Sequence, residues 1–282
     1  MKKKSMLIVA MMAFGMTMSA AELTVVSTEK IVLSEEAHHP TLSPNGDVVL
    51  FTQPNYKGLK SLNLTTNEVK VIDEGVGAGF EPIFSTDGKE VSFKTEIIVD
   101  GLSQRDVKCY NLENGNKAQL IKPTRNNIDT RALVNKTYAK PNADKQSISI
   151  SIDGVVTEVN PIKDGYRYIW SEVSPSKGKL FFNEIYTGLY VSELDGSKAQ
   201  YLAARADFPC WAGDKYVIAL KTKDDGYVIT SAKVIAINIE TKEVVELTDD
   251  ETLVAGLTAT ADKIVYTTEN GEMYLMNIKI TE

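Results

Sequence analysis

The sequence is poor in the residues that hold small or metal-dependent proteins together. Its 282 residues include two cysteines and two histidines. Two cysteines cannot build the dense disulfide framework of a small extracellular domain. The adjacent pair His38-His39 lacks the His-x-His or His-Glu-x-x-His spacing of a dedicated zinc site. The sequence therefore predicts a fold stabilised by an apolar core, with no cofactor and no metal.

An excess of basic residues is also missing. The chain has 31 Lys and Arg residues against 38 Asp and Glu residues, which gives a formal net charge of -7 at pH 7. A nucleic-acid-binding surface needs a basic stripe to replace the counterions of the phosphates. We therefore expect no nucleic-acid partner.

Outside the N terminus the chain has no run of apolar residues of transmembrane length. Lys2, Lys3 and Lys4 precede an apolar stretch over residues 6–18, and small residues follow at 19–21. This order is typical of a secretory signal peptide, and the stretch is too short to span a bilayer comfortably. We expect a signal peptide over residues 1–21, a single mature domain over 22–282, a periplasmic or secreted location and no membrane insertion after cleavage. A retained N-terminal anchor is the alternative.

A short turn motif followed by a β-like segment recurs along the mature chain. It is clearest at residues 42–51 (LSPNGDVVLF) and 84–93 (FSTDGKEVSF). The aligned turn positions are Pro44, Thr86, Pro141, Pro175, Ala212 and Ala261. They recur about every 43 residues, a spacing typical of the four-stranded blade of a β-propeller.

These features predict an all-β fold, a six-bladed propeller of four-stranded antiparallel blades. The last repeat is one strand short, whereas residues 23–33 form a β-like segment that precedes the first repeat. We expect this segment to close the ring as the outermost strand of the last blade, which leaves no long unpaired edge. A ring of five or seven blades and a β-sandwich are the alternatives, although a sandwich would not repeat one turn in each unit.

The two cysteines fall in repeats that lie far apart in such a ring. Cys109 is in the second repeat and Cys210 in the fifth. A disulfide needs Cα atoms within about 7 Å of each other. We therefore expect two unpaired and mostly buried thiols.

The repeat also carries a family resemblance. Residues 40–46 (PTLSPNG) and 82–88 (PIFSTDG) resemble the WD40-like repeat of TolB-type propellers, whose core reads Pro-x-Trp-Ser-Pro-Asp-Gly. The same repeat resembles the propeller domain of the prolyl oligopeptidase family, without its catalytic domain. The resemblance covers residues 38–282, although the usual Trp survives as Trp211 alone. It implies a six-bladed propeller, and because TolB-type propellers hold a partner's tail, it implies a binding role.

The position of the repeated turn predicts a site. Side chains just before the aligned turn lie near the start of each innermost strand, and equivalent positions of a closed ring face the same end of the central channel. We expect the ligand-binding residues to be His38, His39, Glu81, Arg167, Trp170, Arg205, Asp207 and Phe208. Aromatic rings and charges of both signs suit a peptide or a small polar ligand.

Three functional hypotheses remain open at this level. The first is an exported, non-enzymatic binding or interaction protein whose partner is an envelope protein, a peptide segment or a small polar ligand. The second is a hydrolase or lyase that acts on carbohydrate or peptide through carboxylates in the funnel. It would need a pair of carboxyl groups with raised pKa values about 5 to 9 Å apart. The third is a structural accessory of an envelope assembly, which an exposed apolar rim would favour.

Overall fold

A computed structural model describes residues 23–126, 128–162 and 167–281. The expected signal peptide at residues 1–21 lies outside these ranges. The described chain folds as a six-bladed β-propeller, which confirms the predicted architecture. Within it, no helix is long and apolar enough to cross a membrane.

Each blade is a meander of antiparallel strands. Contacts join the first strands of blades three and four, four and five, five and six, and six and one, so the first strand is the innermost. The sixth blade includes the first strand of the chain, β1 (Leu23–Ile31). Blades one and two comprise β2 (His38–Leu42), β3 (Val48–Gln53), β4 (Lys57–Asn63), β5 (Val69–Asp73), β6 (Ile83–Phe84), β7 (Glu90–Val99), β8 (Leu102–Asn111) and β9 (Lys117–Thr124). Blades three and four comprise β10 (Tyr138–Asn142), β11 (Ser147–Ile152), β12 (Val155–Val159), β13 (Tyr168–Val173), β14 (Lys179–Glu184), β15 (Gly188–Glu193) and β16 (Gln200–Ala203). Blades five and six comprise β17 (Asp207–Ala212), β18 (Tyr216–Asp224), β19 (Ile229–Asn238), β20 (Val244–Glu246), β21 (Val254–Ala259), β22 (Lys263–Thr268) and β23 (Met273–Ile280).

The third blade differs from the other five. They have four strands each, whereas the third shows β10, β11 and β12 among the described residues. Its turn also departs from the sequence alignment, because Pro141 lies inside β10 and pairs with Ile148. The turn itself falls at residues 143–146. The alignment was therefore wrong at this repeat, where a proline inside the strand was taken for the proline of the turn.

The N-terminal strand closes the ring as predicted. β1 pairs antiparallel with β23, from Leu23 opposite Ile280 to Ile31 opposite Met273. The sixth sheet therefore combines strands from both ends of the described chain, in the order β1-β23-β22-β21. This pairing covers the edge of β23 that would otherwise be free.

Apolar clusters join neighbouring blades at five interfaces of the ring. Period-two alternation produces them, because alternate side chains of each strand point to opposite faces of the blade and meet the next sheet. Members from the two sides of these interfaces include Phe51 and Val265, Leu50 and Phe93, Ile150 and Phe182, Phe181 and Trp211, and Ile218 and Ile264.

The interface between blades two and three is built differently. No apolar cluster of the described residues joins these two blades. The connection between them contains the short helix α1 (Arg131–Val134), which contacts β6 and β7. Polar bonds anchor this connection on both sides: Thr86 Oγ1 donates to Asn135 Oδ1 over 3.0 Å, and Arg131 Nη1 donates to the Ala139 carbonyl over 3.3 Å.

Both cysteines are free, as the repeat assignment predicted. Cys109 lies on β8 of blade two and is buried, and Cys210 lies on β17 of blade five and is partly buried. Desolvation, together with the neighbouring Glu90, raises the pKa of the Cys109 thiol to about 11. A neutral buried thiol of this kind packs as a small apolar group and is unreactive.

Removing β1 tests ring closure. We expect a chain of residues 34–282 to lose the cooperative melting transition of a chain of residues 22–282, because β23 becomes a free edge and the sixth blade loses cover. Calorimetry and circular dichroism of the two chains measure this difference. An identical transition in both chains would show that β1 is dispensable for closure.

Candidate functional site

The inner strands of the six blades begin at one end of the central channel, which we call the mouth face. In an antiparallel meander the link from one blade to the next and the turn between the second and third strands lie at this same end. The turns between the first and second strands lie at the opposite face. All eight residues expected to bind a ligand are at the start of an inner strand or in the link that precedes it.

Five of these eight residues share an uncommon backbone conformation. Arg205, in the link before β17, has a φ angle of 49°, and His39, Glu81, Trp170 and Phe208 have φ angles of 50°, 50°, 46° and 50°. Three of them lie at a β-bulge, where the inner strand shifts register against the second strand. A left-handed conformation is uncommon for residues with large side chains and persists only where the surrounding structure imposes it. The same strained position therefore recurs in four blades.

On the side of blades one and two, the expected residues lie beside an aromatic row. The His39 ring stacks on the Tyr56 ring with centroids 4.4 Å apart, and the Tyr56 and Phe80 rings make a T-shaped contact with centroids 5.1 Å apart. Burial and the neighbouring His38 lower the pKa of His39. His38 itself lies 3.3 Å from the carboxylate of Glu36, measured from Nε2 to Oε2.

On the side of blades four and five, two aromatic rings meet. The Trp170 and Phe208 rings lie 5.2 Å apart, and Phe208 is 46% exposed. Arg205 Nη1 forms an ion pair with Asp224 Oδ2 over 2.7 Å. Asp224 is the last residue of β18, so this ion pair ties Arg205 to the turn of the β18–β19 hairpin.

The two remaining residues on this side are Asp207 and Arg167. Asp207 accepts a hydrogen bond of 2.7 Å from Thr222 Oγ1, and Arg167 is exposed. Among the described residues, direct contacts join members within each side of the ring and none joins the two sides. A ligand would therefore have to span the channel mouth to contact both groups.

A second ring of residues lies deeper on the channel wall, and in four blades its member follows the left-handed residue by two positions. These positions are Thr41, Ile83, Lys140, Glu172, Cys210 and Thr258. The prediction missed them because it selected only the residues at the very start of each inner strand. Side chains alternate along a strand, so the residue two positions before the turn serine faces the channel as well, and this rule would have found most of them.

Hydrogen bonds at this deeper ring connect consecutive blades. The Leu42 N–H of blade one donates to Thr258 Oγ1 of blade six over 3.1 Å. In the same way the Trp211 N–H of blade five faces the Glu172 carboxyl of blade four, and the Ala259 N–H of blade six faces the Cys210 thiol. The free edge of an inner strand would otherwise leave these N–H groups unpaired.

The Trp211 side chain adds a second bond at the junction of blades four and five. Its indole Nε1 donates to the Glu172 carbonyl over 3.1 Å. The tryptophan of the repeat motif is therefore a buried contact between blades.

The link between blades two and three brings further charges to the channel. Asp129 Oδ2 pairs with Lys140 Nζ over 3.0 Å, and Asp129 Oδ1 accepts the Arg131 N–H over 3.0 Å. Arg131 and Asp129 lie close enough to Lys94 of β7 to change its pKa, and Arg131 also acts on Glu172. Nothing in the repeat motif signalled these residues, because they lie in a link of irregular length.

Glu172 carries the most unusual charge of the channel. Desolvation raises the pKa of its carboxyl to about 7, although the Trp211 N–H and the charge of Arg131 partly oppose the shift. Glu172 is exposed as a residue, although enough protein lies around its carboxyl to desolvate it. Both observations fit a side chain in a narrow channel. Every other described carboxyl with a displaced pKa has it lowered.

The acidic turn at residues 224–226 has a structural role. Asp225 Oδ1 accepts the N–H groups of Tyr227 and Val228 over 2.9 and 3.0 Å, which closes the β18–β19 hairpin. The Asp224 carboxylate forms an ion pair with Arg205. Across the described ranges, no group of three or more His, Cys, Asp or Glu side chains is arranged to hold a metal ion.

The Glu172 pKa predicts a pH dependence of stability. The carboxyl keeps its proton in the folded protein at pH values where it is ionised in the unfolded chain, so this group's contribution is full below about pH 4.5 and is lost as the pH rises through 7. Glu172→Gln, which mimics the neutral acid, should remove this loss between pH 5 and 8. The carboxyls whose pKa is lowered contribute the same stability throughout this window. His39 is present in both proteins, so its effect cancels in the comparison.

Urea unfolding at pH 5 and pH 8 measures the effect. Glu243→Gln, in the exposed turn between β19 and β20, is the matched control and should follow the wild type. If Glu172→Gln loses as much stability as the wild type between the two pH values, the carboxyl is ionised in the folded channel.

Comparison with known proteins supports the fold and does not identify a function. No protein-family model matches the sequence, and no curated protein matches it significantly. Among solved structures, the chain is similar to a protein described as TolB from Agrobacterium tumefaciens, with a TM-score of 0.56, 18% identity, and coverage of 89% of this chain and 92% of that chain. It is also similar to the Cps50 (Swd1) β-propeller domain of Myceliophteria thermophila, with a TM-score of 0.51, 10% identity, and coverage of 90% and 99%. The resemblance to TolB-type and WD40-like propellers is thereby confirmed at the level of the fold.

Proposed function

We propose that the protein is a non-enzymatic binding or interaction protein that holds a peptide segment or a small polar ligand at the mouth of its channel. The observation that carries this proposal is the pair Trp170 and Phe208, whose rings lie together, partly exposed, at the start of two inner strands. Aromatic rings beside charged groups are typical anchors of peptide and polar ligands. Asp207 and the ion pair of Arg205 with Asp224 supply such groups nearby.

The distribution of apolar side chains also supports an interaction role for the mouth face. The hairpin turns on this face carry exposed apolar side chains, with Tyr227 95%, Tyr186 72% and Ile98 69% exposed. The exposed apolar residues in or beside these turns are Ile98, Leu102, Val155, Ile185, Tyr186, Tyr227, Val228 and Ile229. Beside the described turns of the opposite face, the exposed large apolar residues are Val69 and Val244, which are 40% and 42% exposed. Exposed apolar surface on one side of a protein is typical of an interaction site.

The carboxyl groups give less support to the hydrolase or lyase alternative. A glycosidase uses two carboxyl groups, one of which must remain protonated near neutral pH. Glu172 meets that condition, but no second carboxyl of the described chain has a raised pKa. Asp129, the acid beside the same arginine, is held by Lys140.

The proposal extends to export. The leader-like residues 1–21 support a periplasmic or secreted location, where the partner would be an envelope protein or a peptide segment. Expression in a bacterial host should place the protein in the periplasmic or extracellular fraction, with a mature N terminus at Ala21 or Glu22. Edman sequencing of that fraction measures the cleavage site, and an intact N terminus in the membrane fraction would support the retained anchor.

Truncation of the aromatic and cationic groups tests the binding site. The partner is first captured from envelope extract by immobilised residues 22–282 and identified by mass spectrometry. Its affinity for the variant Trp170→Ala with Arg205→Ala should fall by about 2 kcal/mol or more, because central aromatic and arginine residues dominate binding energy. Calorimetry measures the change.

A matched control uses an aromatic residue and a cation away from the mouth face. Tyr201→Ala with Lys198→Ala removes an exposed tyrosine of β16 and a lysine that pairs with Glu193 over 3.4 Å, as Arg205 pairs with Asp224. This control should bind normally. Equal affinities of wild type, variant and control would rule out the aromatic pair as the binding site.

A further inference from the structure

A cleft of about 140 Å³ lies between blades one and two on the mouth face. The side chains of Tyr56, Val76 and Phe80 form apolar parts of its wall, and Lys94 and Arg105 supply two cations. Glu96 also contributes to the lining. The cleft combines an apolar wall with positive charge on a protein whose net charge is -7.

Backbone hydrogen bonds fix the segment that forms the outer wall. Glu96 N–H donates to the Val76 carbonyl over 2.8 Å, and Gly79 N–H donates to the Tyr56 carbonyl over 3.3 Å. The link is therefore tied to blade two at one point and to blade one at another. Gly79 is required for the second contact, because a Cβ there would lie 2.1 Å from Thr52 Oγ1. The cleft is thus preformed.

The two cations of the cleft have no ion-pair partner within 4 Å among the described residues. Lys94 is half-buried and donates no hydrogen bond there, and desolvation lowers its pKa, with Glu81 opposing this shift and Arg105 adding to it. The nearby carboxylate of Glu96 accepts the Ser103 hydroxyl over 2.6 Å. Half-buried charge without a contact partner is costly, and a bound anion would offset that cost.

The apolar wall limits what else the ligand contains. Tyr56 stacks on His39 and meets Phe80 in a T-shaped contact, so much of the wall is aromatic. A cavity of about 150 Å³ is large enough to hold a benzene ring. Tyr56, Asn55 and His39 all have left-handed φ angles, between 50° and 61°. Backbone strain of this kind is concentrated at functional sites in proteins.

We propose that this cleft binds an aromatic carboxylate, with the ring against Tyr56 and Phe80 and the carboxylate between Lys94 and Arg105. The same chemistry occurs in a free aromatic acid and in the C-terminal aromatic residue of a peptide. The site lies across the ring from Trp170 and Phe208, and it does not depend on the binding role proposed for them.

Calorimetric titration of residues 22–282 with phenylacetate tests the proposal. A ligand of this size in a preformed site should bind with a Kd on the order of a millimolar or tighter. The neutral analogue 2-phenylethanol should bind at least about tenfold more weakly, because it lacks the charge-assisted hydrogen bonds. Gly-Gly-Phe and its C-terminal amide form the second arm: a preference for the free tripeptide over phenylacetate identifies a peptide C terminus as the source.

Two variants and one control assign the site. Lys94→Met and Arg105→Gln should each weaken phenylacetate binding about tenfold or more. Lys122→Met, which changes an exposed lysine on β9 of the same blade, should leave it unchanged. The variant Trp170→Ala with Arg205→Ala should also bind phenylacetate normally, which separates this site from the channel mouth. Absence of binding by the folded wild type, or equal loss in Lys122→Met, would overturn the assignment.

Discussion

Closure of the ring is the constraint on which the rest of the structure depends. The pairing of β1 with β23 holds both ends of the described chain in the sheet of blade six, and the bond from Leu42 N–H to Thr258 Oγ1 joins blades one and six at the channel. Only in a closed ring do the starts of six inner strands converge on one mouth. Residues far apart in sequence, such as His39 and Phe208, therefore lie around one opening because the terminal strands pair.

The same closure supports backbone strain at the mouth. Four large residues in left-handed conformations cost about 1 to 3 kcal/mol each. Such strain persists only if packing and hydrogen bonds leave no conformation of lower free energy. Such hydrogen bonds lie deeper in the channel, where Glu172, Cys210 and Thr258 accept N–H groups of the next inner strand. Backbone strain at the mouth and paired N–H groups deeper in the channel are therefore two parts of one inner-strand geometry.

The repeat predicted the scaffold well and the chemistry poorly, for physical reasons. A turn such as residues 43–46 needs particular residue types, so it leaves a readable motif, and the unpaired segment at residues 23–33 had one economical partner. Pro141 misled the alignment because a proline also fits an inner strand. The ion pair of Arg205 with Asp224 could not be read from the repeat, because Asp224 lies on another strand of the blade. Glu172 and Arg131 were missed because their proximity depends on how a non-repeating link folds.

That link explains why the charges lie where they do. Five blade interfaces are filled by apolar side chains, whereas α1 contacts blade two and no apolar cluster of the described residues joins blades two and three. Arg131 and Asp129 enter the channel from this junction and act on Lys94 on one side and Glu172 on the other. The irregular junction therefore replaces part of an apolar core with charge. Because desolvation opposes both charged forms, the pKa of Lys94 falls while that of Glu172 rises to about 7, so Glu172 carries less charge near neutral pH than its residue type suggests.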